Sequence, residues 1–418
     1  MVNMLLQPIA DAELVRLRAD TPAWGSCVHF AHGSISPPPR VVFDAMQGWL
    51  QLESTQGAHR AMAVAREELE QVRTVAASLI GAQAHQIAFV DSASRSWALA
   101  LAAACDNAAR VEVITTEHEW GGSAINLLHA QRQGRIGLHV LSDVDGESLL
   151  LKITARLEAL GTDSSTRKMV SLPAVAMTDG RLIDLRGIAA VVREHNGLLF
   201  IDASHAVGQI AVDVETIACD VLMFPARKWL RGPKGISVLY VSDRALGRLG
   251  APPTLDIASA SWDSDTSCRP RDDARRFEVY EYHPGLRLGL AAAAEYAMAQ
   301  GLGRIAQRNT VVREQLRRGL EQELDLHALG GVAPSAFLTY RLSGEPDTVD
   351  ADAVARLLMR GLEDNGINAS LVGKQYARWA MTPRGIGKLL RLTPHYITAE
   401  SEIESLISCL KGLRPLLL

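Results

Sequence analysis

Between Gln86 and Ser242 the chain alternates short apolar, β-branched runs with longer amphipathic stretches, and this alternation constrains the fold more than any other feature. The strand candidates are Gln86–Val90, Val111–Thr115, Gly137–Leu141, Lys168–Leu172, Leu198–Asp202, Val221–Phe224 and Ile236–Val241. Helical periodicity fills the intervals, as in Trp97–Ala104, Leu149–Leu160 and Leu185–His195. Such alternation predicts an α/β fold, with a mostly parallel seven-stranded sheet flanked by helices. Ligands of these sheets sit beyond the carboxyl ends of the strands.

From about Gly250 to Arg276 the chain turns polar and irregular, with Pro252, Pro253, Asp263, Asp265 and Pro270. Helical patterns return over Leu288–Met298 and Gly303–Glu323. A strand (Ala336–Arg341), a helix (Asp350–Asn365) and a strand (Lys388–Thr393) follow. The last helix, Ala399–Leu413, is expected to start at Thr398 as N-cap, with Glu400 and Glu402 in its first turn. The expected division is an N-terminal segment (1–22) packing on the small domain, a large domain (23–287) and a smaller α+β domain (288–418).

With 418 residues, 48% of them hydrophobic, the chain can bury more than one core. A net charge of −4 gives no electrostatic reason to expect nucleic acid or an anionic membrane as partner. No uncharged run approaches the roughly 18–20 apolar residues of a membrane helix. Met1 to Arg18 carries Asp11, Glu13, Arg16 and Arg18, unlike the basic-then-apolar order of an export signal. The cysteines (27, 105, 219, 268 and 409) are too scattered for a metal knuckle or a redox pair, which fits a reducing compartment. A cytoplasmic protein without a metal site is expected.

Two blocks carry the chemistry. An apolar strand ends at Asp202, followed by Ala203-Ser204-His205. A strand-end Asp can read a ribose hydroxyl, ligate Mg²⁺, pair with a protonated pyridine nitrogen, or simply cap the next turn. A second apolar strand then runs into Pro225-Ala226-Arg227-Lys228-Trp229-Leu230-Arg231-Gly232-Pro233-Lys234-Gly235. Lys228 is flanked by Trp229 and Leu230, and the resulting desolvation favours a nucleophilic free amine. The structural alternative is a solvated lysine among basic neighbours. Val90 to Ser96 joins a strand to a helix, where Ser92, Ala93, Ser94 and Arg95 offer either a phosphate site or an ordinary serine cap. No strand is followed by G-x-G-x-x-G or a Walker motif, so a nucleotide-binding α/β module is the weaker alternative.

Together these blocks resemble the cofactor core of class V aminotransferase-fold enzymes, which depend on pyridoxal 5′-phosphate (PLP). Further resemblance lies in Phe30 to Pro37, an opening substrate-side turn containing His32 and Ser34, and in a closing segment with Arg378, Arg384 and Leu390-Arg391-Leu392-Thr393-Pro394-His395-Tyr396. The resemblance implies a fold type I, aspartate aminotransferase-like PLP fold. It implies Lys228 as Schiff-base lysine and Cα base, Asp202 as partner of the pyridine nitrogen, and His205 near the phenolic oxygen. Ser92, Ala93, Ser94, Arg95 and Arg227 would hold the phosphate, with Pro225 where Ser or Thr is usual. Trp120 or, two residues earlier, His118 would stack on the ring. Arg391 would bind the substrate carboxylate, with Arg378, Arg384, His32 and Ser34 around the remainder. A homodimer is also implied, completed by Arg275 to Glu281, where Glu281 stands near the usual Thr.

A desulfurase working through a persulfide needs a cysteine on the loop before the closing strand, and Ile367 to Leu390 contains none. The pattern is closest to hercynylcysteine sulfoxide lyase-like and isopenicillin N epimerase-like enzymes, several of them in secondary metabolism. C–S β-elimination on an S-substituted cysteine is therefore expected. Decarboxylating deamination, epimerisation and transamination need the same arrangement and remain alternatives.

Overall fold

A computed structural model of the chain describes residues 9–143, 146–163, 165–330, 335–342 and 349–417. All seven expected strands form, as β1 (Ile87–Val90), β2 (Arg110–Thr116), β3 (Gly137–Leu141), β4 (Thr166–Pro173), β5 (Leu198–Asp202), β6 (Val221–Pro225) and β7 (Ser237–Val241). They make one sheet in the order β1-β7-β6-β5-β4-β2-β3. Only β7 runs antiparallel to its neighbours, β1 and β6.

The apolar runs are continuous because both faces of the sheet are covered. Alternate residues divide between two cores, as the period of two requires. Leu199, Ile201, Leu222 and Phe224 enter one cluster, while Leu198, Phe200, Val221 and Met223 enter the other. Helix Pro284–Gln300, expected to open the small domain, buries Leu288, Leu290, Ala293, Ala294 and Ala297 in the first of these clusters. It packs on helices Arg40–Gln56 and Arg66–Leu79. Helix Asp11–Ala19 sends Leu14 and Leu17 into that cluster too. It also reaches later segments, with Glu13 2.6 Å from Arg304 and Arg18 donating to the Ile397 carbonyl.

Farther along, β8 (Leu338–Arg341), β9 (Ser370–Gly373) and β10 (Lys388–Leu392) form an antiparallel sheet ordered β8-β10-β9. Helices Leu302–Leu324 and Glu400–Gly412 supply Val312, Leu316, Leu320, Leu406 and Leu410 to its core. The last helix is capped at Ala399, one residue beyond expectation, with Glu402 accepting the Ala399 N–H. Thr398 instead accepts from the His395 N–H. The opening turn joins this region where Ala31 bridges to Thr393. Residues 260–270, expected to be irregular, form the exposed hairpin Ala260–Ser264/Ser267–Pro270. Among the described residues no helix is long and apolar enough to cross a membrane.

Candidate active site

The lysine stands where the carboxyl ends of β5 and β6 meet. Asp202 closes β5, and its Oδ1 accepts the Ser204 N–H at 2.8 Å. The turn after β5 comes against the lysine loop because Gly208 adopts φ +95°, and a Cβ there would lie 2.4 Å from the Leu230 nitrogen. This approach brings His205 Nε2 to 3.2 Å from Lys228 Nζ. On the other side of the ring, the Trp229 indole N–H points at His205 Nδ1 across 3.4 Å. An indole can only donate, so Nδ1 is the accepting nitrogen and Nε2 carries the proton. That proton faces the lysine amine, which can accept it only as the free base.

Electrostatics agree with a neutral imidazole. Burial, with the charges of Lys228, Arg391 and Arg227, holds His205 well below the usual imidazole range. Burial likewise pushes the half-buried Lys228 amine down to about 7, against the opposing charge of Asp202 and with help from Arg227 and Arg391. Glu119, not singled out from sequence, lies beneath the same site. Its carboxyl accepts the Thr115 and Ser171 hydroxyls, both at 2.9 Å, and burial plus the charge of Asp202 pushes it up to about 7.

The lysine loop is fastened from behind by Arg231, another residue whose role the sequence did not reveal. It takes φ 62°, an uncommon conformation for a side chain of this size, and is buried. Its guanidinium donates to the Pro37 carbonyl at 3.0 Å, the Tyr396 hydroxyl at 2.8 Å and Thr21 Oγ1 at 2.5 Å. Three distant segments therefore converge on the turn that carries Lys228.

Two lobes open on either side of Lys228, Arg227 and Trp120. The first, about 250 Å³, is lined by Ser92, Ala93 and Ser94 at the start of helix Ala93–Asp106 and by Pro225 and Lys234. Ser92 caps that helix, its Oγ accepting the Arg95 N–H at 3.4 Å. The Arg95 side chain does not line this lobe, contrary to expectation; it is exposed and pairs with Asp91 at 3.1 Å. Lys234 was not anticipated, and it supplies a cation near the position where Pro225 lacks a hydroxyl.

The second lobe, about 190 Å³, contains Ser34, His205, Tyr376 and Arg391. Arg391 Nη2 donates to Ser34 Oγ at 2.6 Å, while its buried Nε has no partner among the described residues. Burial lowers Arg391 only to about 10, so it stays cationic at neutral pH. Arg227 lines both lobes and donates to the Ser34 carbonyl.

Several expected residues stand elsewhere. His32 is turned inward by the turn at Ala31, bonds Ser36 Oγ at 2.8 Å, and packs on His29 and His395 rather than lining the cleft. Arg378 is exposed and lines neither lobe, the cleft position being taken by Tyr376. Arg384 is bound by Glu117 and Asp143. His118 is buried away from the lobes with Nε2 3.0 Å from Asp143, so of the two stacking candidates only Trp120 reaches the cleft. The Trp120 ring lies against Gly122, where a Cβ would fall 2.1 Å from it and displace the ring.

These residues fit PLP. A helix start and a lysine suit a phosphate, an aromatic plate and a strand-end carboxylate suit a pyridinium, and an amine lowered to about 7 suits a Schiff base. The unpartnered Arg391 Nε suits a substrate carboxylate.

Known proteins with the same plan were found. The family model described as aminotransferase class-V matches residues 30–406. The cysteine desulfurase IscS of Anaeromyxobacter dehalogenans is 29% identical over 346 residues, covering 81% of this chain and 78% of that one. The apo structure of a cysteine desulfurase from Thermococcus onnurineus NA1 superposes with a TM-score of 0.82 at 22% identity, covering 96% of this chain and 98% of that one. The cystine C-S lyase C-DES, solved with its product cysteine persulfide, gives a TM-score of 0.78 at 20% identity, covering 94% of this chain and 99% of that one. The fold is accordingly the PLP-dependent aminotransferase-like fold.

Proposed function

The chain belongs to the class V aminotransferase family and is a PLP-dependent enzyme; from that premise we propose that it is a C–S β-lyase acting on an S-substituted cysteine. The observation that carries the reading is a lysine amine lowered to about 7 in a cleft that, among the described residues, no cysteine lines. Where a desulfurase would need its persulfide-forming cysteine, this chain has helix Lys374–Met381. The names of the relatives point to cysteine and cystine, both substrates whose sulfur sits on Cβ.

When bound, PLP supplies a protonated ring that accepts the electron pair released at the substrate's Cα. Lys228 would hold the cofactor through Nζ and, once substrate displaces it, take the Cα proton at the same atom. Asp202 would keep the proton on the ring nitrogen. The His205 Nε2 proton is available to the lysine amine or to an oxygen beside it. Arg391 and Ser34 would grip the α-carboxylate, and Trp120 would cover the ring. Substrate and one water give a thiol, pyruvate and ammonium.

The exposed Ile257 (75%), Trp262 (79%) and Tyr280 (62%) support the further proposal of a homodimer in which this face meets a second copy. An obligate dimer would bury more than about 2,000 Å².

The reading is tested by incubating the enzyme with S-ethylcysteine and measuring pyruvate, thiol and ammonia. Equal amounts of all three are expected. Carbon dioxide, racemised amino acid, or the sulfur-bearing 2-oxo acid in place of pyruvate would replace the lyase by one of its alternatives.

A further inference from the structure

The cleft around Arg391 changes character along one sheet face. In β9 and β10, Ser370 is paired with Arg391, and two residues away on the same face Val372 is paired with Leu389. A two-residue step along a strand covers roughly 6.5–7 Å, about the reach from an amino acid's carboxylate to the group carried on its sulfur. Val372 lines the cleft there together with Met177, Leu371 and Tyr376. Met177, Val372 and Leu389 belong to a compact apolar cluster against which Trp120 packs. No carboxylate lines this lobe among the described residues.

Of the cations lining the lobe, Lys228 would carry the cofactor, Arg391 would bind the α-carboxylate and Arg227 donates to the Ser34 carbonyl, so each already has an occupant or a partner. Arg384 is bound by Glu117 and Asp143, and Arg378 is exposed outside the lobe. A charged group placed against Met177 and Val372 would lose its hydration without gaining a partner. An alkyl or aryl group would instead gain by burying apolar surface. The lobe's volume of about 190 Å³ falls below the roughly 300 Å³ at which drug-sized ligand sites begin.

We propose that this wall is the pocket for the group carried on the substrate's sulfur, and that it takes a compact, uncharged alkyl or aryl substituent in preference to an acidic one. The role of sulfur rests on the lyase reading; the preference itself concerns the side chain of any amino acid that binds.

Binding and chemistry are separated by titrating the holoenzyme with amino acids that have no leaving group and following the visible band of the cofactor. Norleucine mimics S-ethylcysteine, and α-aminoadipate mimics S-carboxymethylcysteine. Norleucine should bind at least tenfold more tightly than α-aminoadipate. In Tyr376→Arg, at a half-exposed position of the same lobe and with cofactor content and circular dichroism unchanged, that order should shrink or reverse. Equal or tighter binding of α-aminoadipate by the unaltered enzyme would overturn the pocket assignment, whatever the variant does. The expected order together with no pyruvate from S-ethylcysteine would keep the pocket and defeat the lyase reading alone.

Discussion

Residues 116–120 border two neighbourhoods that treat charge in opposite ways. Glu117 and His118 face an ion-pair network, in which Arg384 lies 2.9 Å from both Glu117 and Asp143 and Arg181 pairs with Asp143 and Asp179. His118 contributes most to holding Asp143 far below the usual carboxylate range. Trp120 faces the other way, into the cleft, with Glu119 buried next to it. There the Lys228 amine bonds an imidazole rather than a carboxylate, Arg391 Nε has no partner among the described residues, and Glu119 is pushed up to about 7. Compensation of charge marks the structural side of the loop, and its withholding marks the chemical side.

The largest effect expected from breaking this contrast is at Lys228. Lys228→Ala should lower turnover by at least roughly 10³-fold and remove the borohydride-trappable cofactor adduct. Trapping on Lys234 instead would reassign the lysine.

On the structural side, Arg384→Ala should leave Glu117 and Asp143 facing each other and cost about 2 kcal/mol of stability, less than a fully buried pair because Arg384 is partly exposed. Chemical denaturation checks this, and the spectrum of bound cofactor should change little. A variant as stable as the parent would mean that the network is not a stabilising one.

The smallest effect sharpens the contrast through pH. The Lys228 pKa is lowered, so its competent free base is present above about 7 and is lost as pH falls through that value. The rate at which apoenzyme captures PLP should therefore drop by about tenfold for each pH unit below 7. A capture profile centred near the ordinary lysine value would refute the lowered amine.

Much of this was legible because burial on both faces writes strands as unbroken apolar runs. Strand β9 was not legible, since Ser370-Leu371-Val372-Gly373 is short and bounded by turn-forming residues. The Asp202–Lys228 pair was legible as two strand ends in one sheet. Which of His118 and Trp120 reaches the cleft was not, because the turn closed by the Glu119 N–H on the Thr116 carbonyl decides it. Arg384 read as a candidate substrate contact because its partner Glu117 lies 267 positions away. His32 and Ser34 looked equivalent until the turn at Ala31 sent one inward and the other outward.

Arg231 has a consequence for the order in which the protein is made. Its partners are Thr21, 210 positions earlier, and Tyr396, 165 positions later. During synthesis, at about 5–20 residues per second, the Lys228 turn leaves the ribosome many seconds before Tyr396 does. Until then a buried guanidinium lacks one of its acceptors, and the turn has no reason to hold the strained φ of Arg231. The sheet can form early from local strand–helix units, but the turn that carries Lys228 matures late, once the segment with Tyr396 has been made.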